Sequence, residues 1–579
     1  MWLAGTPQRK AALPGQGRTM TKAPKLLTLC AMAAAATLLA AACSASTGSQ
    51  QVARQGGILR IGTLEGIDSL NPFVGFNQDS YSTWMYIYPS LVQYDLHTYK
   101  FIPNFATSWQ TSPNGLTWTF HLAPKAKWSD GKPLTAADVA WTVNTILKYQ
   151  NGPAGGWAGS VAHLASFKAT SPTTVVATYK QPVADVLPNL GLIPILPEHI
   201  WGRYATGNGQ GLQTYSNRPS SGQPLVGGGP FTLVNYTPNS VAVFKRNPNF
   251  YGVKPHLDGF GLQFFQSPDA MVTAMKAGEL DAIEHLPPTS VAAVRSAGFH
   301  VYVGPSLEFR DFIFNSNPAK PHHRELLNPK VRMAFEYAIN RPEIVKTAWL
   351  GYAKPGSTIV VPAQITDGIH WHDAAIKPLP FDLAKANQIL DSLGYKRGPN
   401  GIRVADGHPM SYKVILPHSE TGPGDRAFMI IQADLRQIGV QITEQPMDDT
   451  AASDAIEAPG TKYLSFDLAM WDWIPNIDPD FILSVLGCNQ YGSWSDTAYC
   501  NPAYDKLYQE QGVAVNPQKR LQIVYQMQQM IYNARPYIVL TNDDEVDAWS
   551  PHFAGIVESP QSFFNSLSLQ SLDSAYQAG

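Results

Sequence analysis

The segment His370-Trp371-His372-Asp373 combines two histidines and an aspartate, side chains that can ligate a metal ion. Two imidazoles and a carboxylate are residue types that bind zinc or other transition metals. Short histidine pairs in loops are more often polar surface, and no cysteine lies nearby to complete a ligand set. The sequence therefore predicts no metal site and no cofactor.

A second candidate segment runs from Trp471 to Asp480 and combines indole rings with carboxylates. Asp472 and Asp478 carry carboxylates that can pair with a cationic group; a pocket-lining role for Trp473 follows only from the resemblance described below. The alternative is that both aspartates belong to turns or to the surface, and that Trp473 packs in the core. Residue type alone leaves both interpretations open.

Catalytic motifs are missing from the sequence. There is no Gly-x-Ser-x-Gly, no His-Glu-x-x-His and no phosphate-binding loop ending in Gly-Lys-Ser/Thr. The glycines at 227–229 precede Pro230 and a predicted strand rather than a helix, so they are not a phosphate cradle. With a net charge of −2, the chain also has no basic footprint for nucleic acid. We therefore expect neither an enzyme nor a nucleic-acid-binding protein.

Export is indicated by the N-terminal region. Five Lys or Arg precede an uncharged run over 26–42, which ends in small residues before Cys43. A basic stretch, a short apolar stretch and small residues are typical of a secretory signal, and the alternative is a membrane-anchoring helix. Either Met1 or Met20 fits as the start of the chain, because 20–25 is itself basic.

The run Ala40-Ala41-Ala42-Cys43 resembles the lipobox of bacterial lipoproteins, although Ala40 stands where leucine is usual. The resemblance implies a lipoprotein signal peptide over 1–43 and lipidation of Cys43, which would hold the protein at a membrane surface. Ordinary cleavage nearby is the alternative. Residues 44–55 are rich in Ser, Thr, Gly and Gln and predict a flexible tether.

Two cysteines remain beyond the N-terminal region, Cys488 and Cys500. In an exported protein, two cysteines this close in sequence predict a disulfide. Closing so short a loop contributes about 3 kcal/mol to stability by loop-entropy arguments.

The remaining sequence alternates between strand and helix patterns. Leu116 to Leu122 has period-two alternation, and Thr135 to Asp138 is a helix start. Val331 to Ile339 places its apolar residues on one helical face, while Asp382 caps a further helix that ends at Gly394. Such alternation over a long stretch predicts an α/β fold.

Several segments, in the same order, resemble the extracytoplasmic solute-binding proteins of family 5, the peptide- and nickel-importer type. The match is strongest at Ile102–Trp109 and at 116–139, which contains the Trp128-Ser129-Asp130-Gly131 turn. Further similar segments follow in order: 227–231, 245–251, 277–281, 331–341, 431–435 and 473–479.

This resemblance implies a two-lobed periplasmic-binding-protein fold of type II, with an extra inserted domain and a cleft that closes about a hinge. The implied lobe one comprises 56–88, 220–312 and 543–579. The inserted domain spans 89–219, and lobe two spans 313–542.

The resemblance also implies an extracytoplasmic monomer that delivers a solute to the permease subunits of an ABC importer, whose ATPase is a separate protein. Its only contact with the membrane would be the lipid anchor. A peptide is the first expectation for the solute, with a sugar oligomer, an opine or a metal chelate as alternatives. A secreted enzyme acting in the cleft and a sensor that signals to a receptor are the rival functions.

In the family's peptide binders, an aspartate three residues after the tryptophan matching Trp473 pairs with the peptide's α-ammonium. Asn476 stands there in this chain. A neutral hydrogen bond contributes about 0.5–1.5 kcal/mol against about 1.5–3 for a charged one, so affinity for a free amine is expected to be lower. By the family register Trp84 and Tyr88 border the cleft, with core packing as the alternative. The predicted ligand contacts are Trp84, Tyr88, Asp472, Trp473, Asn476 and Asp478.

Overall fold

Strands and helices alternate along the chain in a computed structural model that describes residues 55–64, 66–75, 77–219, 223–457, 465–558 and 568–578. The predicted signal peptide, the lipidation site Cys43 and all but the last residue of the tether lie outside these ranges. None of the helices within them combines the length and apolar character needed to cross a membrane.

The strands range from two-residue pairs to two long strands of the central sheet. In chain order they are β1 (Ile58–Thr63), β2 (Val92–Asp95), β3 (Lys100–Pro103), β4 (Ala106–Thr111), β5 (Thr117–Leu122), β6 (Leu164–Ser171), β7 (Thr174–Tyr179), β8 (Phe231–Thr237), β9 (Val241–Arg246), β10 (Gly259–Phe264), β11 (Ala282–Ile283), β12 (His300–Phe314), β13 (Ala353–Pro355), β14 (Ile365–Thr366), β15 (Ile369–His370), β16 (Val404–Ala405), β17 (His408–Pro409), β18 (Ser411–Pro417), β19 (Gln441–Met447), β20 (Leu468–Trp473), β21 (Tyr537–Trp549), β22 (Phe553–Ala554) and β23 (Tyr576–Gln577).

The helices are mostly short and lie between the strands. In chain order they are α1 (Gln78–Ile87), α2 (Ala136–Tyr149), α3 (Val186–Leu192), α4 (Glu198–Trp201), α5 (Gly211–Thr214), α6 (Pro268–Lys276), α7 (Val291–Ser296), α8 (Pro329–Ala338), α9 (Arg341–Thr347), α10 (Leu383–Ser392), α11 (Pro423–Gln437), α12 (Asp449–Ile456), α13 (Asp480–Ser484), α14 (Pro502–Gly512), α15 (Pro517–Ala534) and α16 (Leu569–Ser574).

One mixed sheet organises most of the described chain. Its strand order is β19-β18-β20-β12-β21-β11-β1-β10-β9-β8, and β13 pairs additionally with β21. Pairing is parallel within β19-β18-β20 and within β11-β1-β10, whereas the central pairs are antiparallel. The mixture of parallel strands and intervening helices confirms the predicted α/β fold.

The two central strands, β12 and β21, connect the two halves of this sheet. They pair antiparallel from His300 opposite Trp549 to Ile313 opposite Tyr537. The C-terminal half of β12 pairs with β20, and the C-terminal end of β21 pairs with β11. Their register shifts between Pro305 and Phe309. Two continuous strands, β12 and β21, therefore run through both halves of the sheet. The register shift after Pro305 lies at the junction between the two halves.

A separate antiparallel sheet, with the order β4-β5-β7-β6, is formed by the segment that was predicted to be inserted. Helix α2 packs against β6 and begins at the predicted start with a reciprocal cap. The Thr135 hydroxyl accepts from the Ala137 amide at 3.2 Å, and the Asp138 carboxylate accepts from the Thr135 amide at 3.0 Å. The exact domain boundaries given above stay predictions.

The helix starts read from the sequence in the second half of the chain are confirmed. Asp382 caps α10 by accepting from the Lys385 amide at 2.8 Å, and Gly394 takes the left-handed conformation just beyond the helix, with φ +80°. The apolar face of α8, which includes Val331 and Phe335, is fully buried.

Candidate functional site

A cavity of about 800 Å³ lies between the segments that carry the predicted ligand residues. One wall is formed by α1 and the residues after it, and a second by the loop at 155–160 together with α3. The third wall contains the segment 471–484, with the nearby loop at 490–494 and Tyr508. A volume of this size lies within the usual range of small-molecule sites, about 300–1,000 Å³.

Strand β20 delivers the Trp471–Trp473 segment to the cavity. It pairs with β12, which places Trp473 opposite Phe309 at the point where the strand ends. The Trp473 indole is 8% exposed and donates to the Asp496 carboxylate at 3.0 Å. Tyr537 also donates to this carboxylate, and burial raises the pKa of Asp496 to about 7. Trp473 is therefore a cavity-lining ring held in place by a buried hydrogen bond, so it combines both of its expected roles.

Asp472 lines the cavity beside a cluster of charges on the crossing strands. Its carboxylate lies 3.6 Å from the guanidinium of Arg310, which directly opposes it on β12. Arg310 also donates to Glu308, Glu420 and Asp543. Burial raises the pKa of Glu308 to about 8 and that of Glu420 to about 7, despite the nearby guanidinium. The guanidinium of Arg310 is thus shared by four carboxylates. Among these carboxylates, that of Asp472 is the one that lines the cavity.

Asp478 lines the cavity as one partner of a buried ion pair. Both of its carboxylate oxygens accept from the Arg520 guanidinium at 2.7 Å, and both side chains are at least 95% buried. A bidentate pair of this kind satisfies the carboxylate. Asp478 therefore shapes the wall, and the predicted pairing of this residue with a ligand ammonium finds no free carboxylate oxygen.

Asn476 lies in the loop between β20 and α13 and lines the cavity. Its backbone carbonyl accepts from the Gln364 side chain at 2.8 Å, which fixes the loop. Its side chain is half-buried. The location of Asn476 in the cavity wall therefore suits the predicted ligand contact. Which group of the ligand it binds stays a prediction.

Trp84 and Tyr88 lie in the core rather than among the residues that line the cavity. The Tyr88 hydroxyl is 3.2 Å from the Asn217 side-chain oxygen, to which it donates. On the same helix, Tyr81 and Met85 do line the cavity. The structure thus favours core packing for the two predicted residues, and α1 contacts the cavity through a neighbouring face.

Sequence reasoning missed further lining residues. They come from distant segments and include Tyr81, Met85, Trp157, Asp185, Asp480, Phe481 and Trp494. Only Asp480 and Phe481 had a local signal, because Asp480 is the last residue of the acidic and aromatic segment at 471–480 and Phe481 follows it directly. The others are recognisable only from the tertiary fold.

Cys488 and Cys500 are bonded to each other, with an S–S distance of 2.07 Å. The bridge encloses the loop that contributes Gln490, Ser493 and Trp494 to the cavity. The His370–Asp373 segment forms no metal cluster in the described residues. There the His372 ring nitrogen instead lies 2.7 Å from the Val360 carbonyl oxygen.

Comparison with known proteins agrees with this architecture. The middle-region model of the bacterial extracellular solute-binding proteins, family 5, matches residues 100–493. Protein XP55 of Streptomyces lividans is 27% identical over 552 residues, which cover 93% of this chain and 94% of that protein. The glutathione-binding protein GsiB of Escherichia coli is 26% identical over 478 residues, covering 79% and 84%.

Among solved structures, the oligopeptide-binding protein AppA of Bacillus subtilis, in complex with a nonapeptide, superposes with a TM-score of 0.76 at 20% identity. The superposition covers 91% of this chain and all of AppA, which confirms the predicted fold. The family match extends over more than half of the sequence and includes the cavity segment from Trp471 to Ser493. The chain belongs to family 5 of the bacterial extracellular solute-binding proteins.

Proposed function

We propose that this chain is the lipid-anchored binding protein of an ABC importer, and that it captures a peptide or a solute of similar size for delivery to the permease. The observation that carries the proposal is the cavity of about 800 Å³, walled by distant segments and lined by aromatic rings. A cavity that combines aromatic rings with polar side chains is suited to enclosing a solute. No catalytic constellation is needed for this task.

The contacts around the cavity suggest how binding is communicated. The Ala184 amide donates to the Gly512 carbonyl at 2.9 Å, and the Asp367 amide donates to the Tyr99 carbonyl at 2.6 Å. Each bond joins the predicted inserted domain to the predicted lobe two. Opening of the cleft breaks them, so a ligand that bridges the same walls favours the closed arrangement that a permease recognises.

A peptide is the first expectation for the solute. The nonapeptide of AppA and the glutathione of GsiB belong to those proteins, and fold analogy alone does not choose among ligands. Cavity volume and aromatic lining are compatible with short peptides, and Asn476 at the expected amine position argues for weaker recognition of a free α-ammonium there.

Native mass spectrometry of the mature chain without its lipid, starting at Ser44 and purified without refolding from its own host, tests the proposal. We expect a bound mass that matches peptides. A bound non-peptide mass would keep the solute-binding function and replace the peptide. The absence of any bound solute, together with no binding across a panel of peptides, sugars and metal chelates, would refute the function itself.

A further inference from the structure

Two β-hairpins meet where the predicted inserted domain contacts the predicted lobe two. One consists of β2, β3 and the turn at 96–99, and the other consists of β14 and β15. The second hairpin turns at Asp367-Gly368, with φ 49° and 76°. Positive φ at both central residues is what a two-residue hairpin turn of this type requires, and Asp-Gly supplies it readily. The sequence thus builds a compact turn at this junction.

Three hydrogen bonds join the two hairpins. The Tyr94 hydroxyl of β2 donates to the Ile365 carbonyl of β14. The Asp367 amide donates to the Tyr99 carbonyl at 2.6 Å, and the Asp367 carboxylate accepts from the Phe101 amide. Because each hairpin supplies both donors and acceptors, these bonds fix one hairpin relative to the other. We call this contact the hairpin clasp.

Apolar packing accompanies the hydrogen bonds of the hairpin clasp. Tyr94 and Leu96 form a small buried cluster with Val557, and Ile477 from the loop after β20 packs against it. The Tyr94 ring also meets the Phe101 ring edge-on, with 5.6 Å between their centres. Since Tyr94 is only 7% exposed, its hydroxyl bonds to the opposite hairpin where most water is excluded, and a hydrogen bond there is electrostatically stronger than in water.

Each hairpin is attached to its own side of the cavity. In the turn after β2, the Asp95 carboxylate accepts from the Thr98 amide at 2.6 Å and from the Thr98 hydroxyl at 2.8 Å. Gln364 directly precedes β14, and its side chain donates to the Asn476 carbonyl in the opposite wall at 2.8 Å. Each hairpin therefore moves with its own wall, and separation of the walls breaks the hairpin clasp.

The hairpin clasp needs no solute in order to form. All of its hydrogen bonds join groups of the protein itself. Tyr94 and Phe101 line the cavity, whereas Ile365 and Asp367 are not among the lining residues in the part of the chain that the structure describes. The contact therefore extends from the edge of the cavity to a region that a solute does not occupy.

We infer that the hairpin clasp stabilises the closed cleft in the absence of a solute, with the Tyr94 hydroxyl and the Asp367 side chain as its determinants. The inference rests on the proposed closing cleft and adds the residues that set the balance between its open and closed forms. A protein that is partly closed beforehand binds its solute more tightly, because a larger fraction of the molecules is already in the binding conformation.

Single-molecule energy transfer on the solute-free mature chain tests this inference. Dyes are attached at Ala165→Cys in β6 and Lys330→Cys in α8, two exposed positions, while Cys488 and Cys500 are bonded to each other. Native mass spectrometry checks that no solute remains. We expect Tyr94→Phe to raise the ratio of open to closed molecules about two- to tenfold, the factor that corresponds to one net hydrogen bond.

Asp367→Gly should raise the same ratio, because it removes the carboxylate at a left-handed position that glycine adopts without strain. Asp406→Gly is its matched control, since Asp406-Gly407 forms the equivalent turn between β16 and β17, with φ 49° and 89°. Tyr532→Phe is the control for the hydroxyl, because Tyr532 donates to the Lys377 carbonyl at 2.8 Å within the predicted lobe two. Both controls should leave the ratio unchanged.

Circular dichroism checks that every variant is folded. An unchanged ratio in both Tyr94→Phe and Asp367→Gly would overturn the inference, as would equal changes in the controls. An unsubstituted chain that is entirely open without a solute would overturn it as well. Each of these results leaves the solute-binding function intact, because that function is judged separately by the mass retained from the host.

Discussion

Asp478→Asn is expected to destabilise the protein strongly, although it changes a single atom of the side chain. In the native structure Arg520 donates to both carboxylate oxygens at 2.7 Å, and its guanidinium lies 4.8 Å from the centre of the Trp371 ring. After the substitution, a guanidinium that is 96% buried loses its bidentate partner. Removal of one partner from a buried pair typically costs about 3–5 kcal/mol. We expect a loss in this range.

Urea unfolding followed by tryptophan fluorescence measures this loss. Asp258→Asn is the matched control, because Asp258 pairs with Arg246 at 2.9 Å but its side chain is 56% exposed; we expect less than about 1 kcal/mol. If the unpaired guanidinium is the cause, Asp478→Leu combined with Arg520→Met should recover most of the loss. Equal effects of Asp478→Asn and Asp258→Asn would refute the reasoning, as would a double variant no more stable than Asp478→Asn.

Three further predictions concern the anchor, the amine position and pH. Cys43→Ser should move the protein from the membrane to the soluble fraction on cell fractionation; continued membrane association would exclude lipidation at this residue. Asn476→Asp should strengthen binding of peptides with a free N-terminus about tenfold in calorimetry, as expected for a charged acceptor, with N-acetylated peptides as the control; unchanged affinity would place the amine elsewhere. Burial holds the pKa of Asp496 at about 7 and that of Glu308 at about 8, above unfolded values of about 4. The native chain therefore binds more protons than the unfolded chain in this window, and the contribution of these groups to the free energy of unfolding should fall as pH rises from about 4 to 8. Asp496→Asn should flatten the pH dependence below about 7 in urea titrations, and an unchanged slope would contradict the assignment.

The fold was largely predictable because its local signals agree with one another. The capping residues Thr135 and Asp382 begin helices where expected, and the apolar face of α8 is buried. These features depend on neighbours a few residues apart, which a sequence shows directly. The order of strands in the sheet was not predicted, since pairings such as β11 with β21 join residues far apart in the chain.

The sequence predicted only the part of the site that comes from one continuous segment of the chain. The segment from Trp471 to Asp480 does line the cavity, as its residue types suggested. The role of Asp478 depends on Arg520, 42 residues later, and Asp185 meets Asp480 only through the tertiary fold. For Trp84, the resemblance pointed to a segment that does line the cavity, through Tyr81 and Met85. A bulky aromatic suits both a core and a pocket wall, and packing decided between them.

The pairing of β12 with β21 has a consequence for how the protein matures. Strand β1, which begins at Ile58, joins the sheet through β11 to Ala548 and Trp549 of β21. The N-terminal half of the sheet therefore cannot complete its hydrogen bonding until almost the whole polypeptide has emerged on the far side of the membrane. Contacts this distant in sequence form slowly. Export in an unfolded state suits such a topology, and a chain truncated before β21 should leave both halves of the sheet without their shared strand.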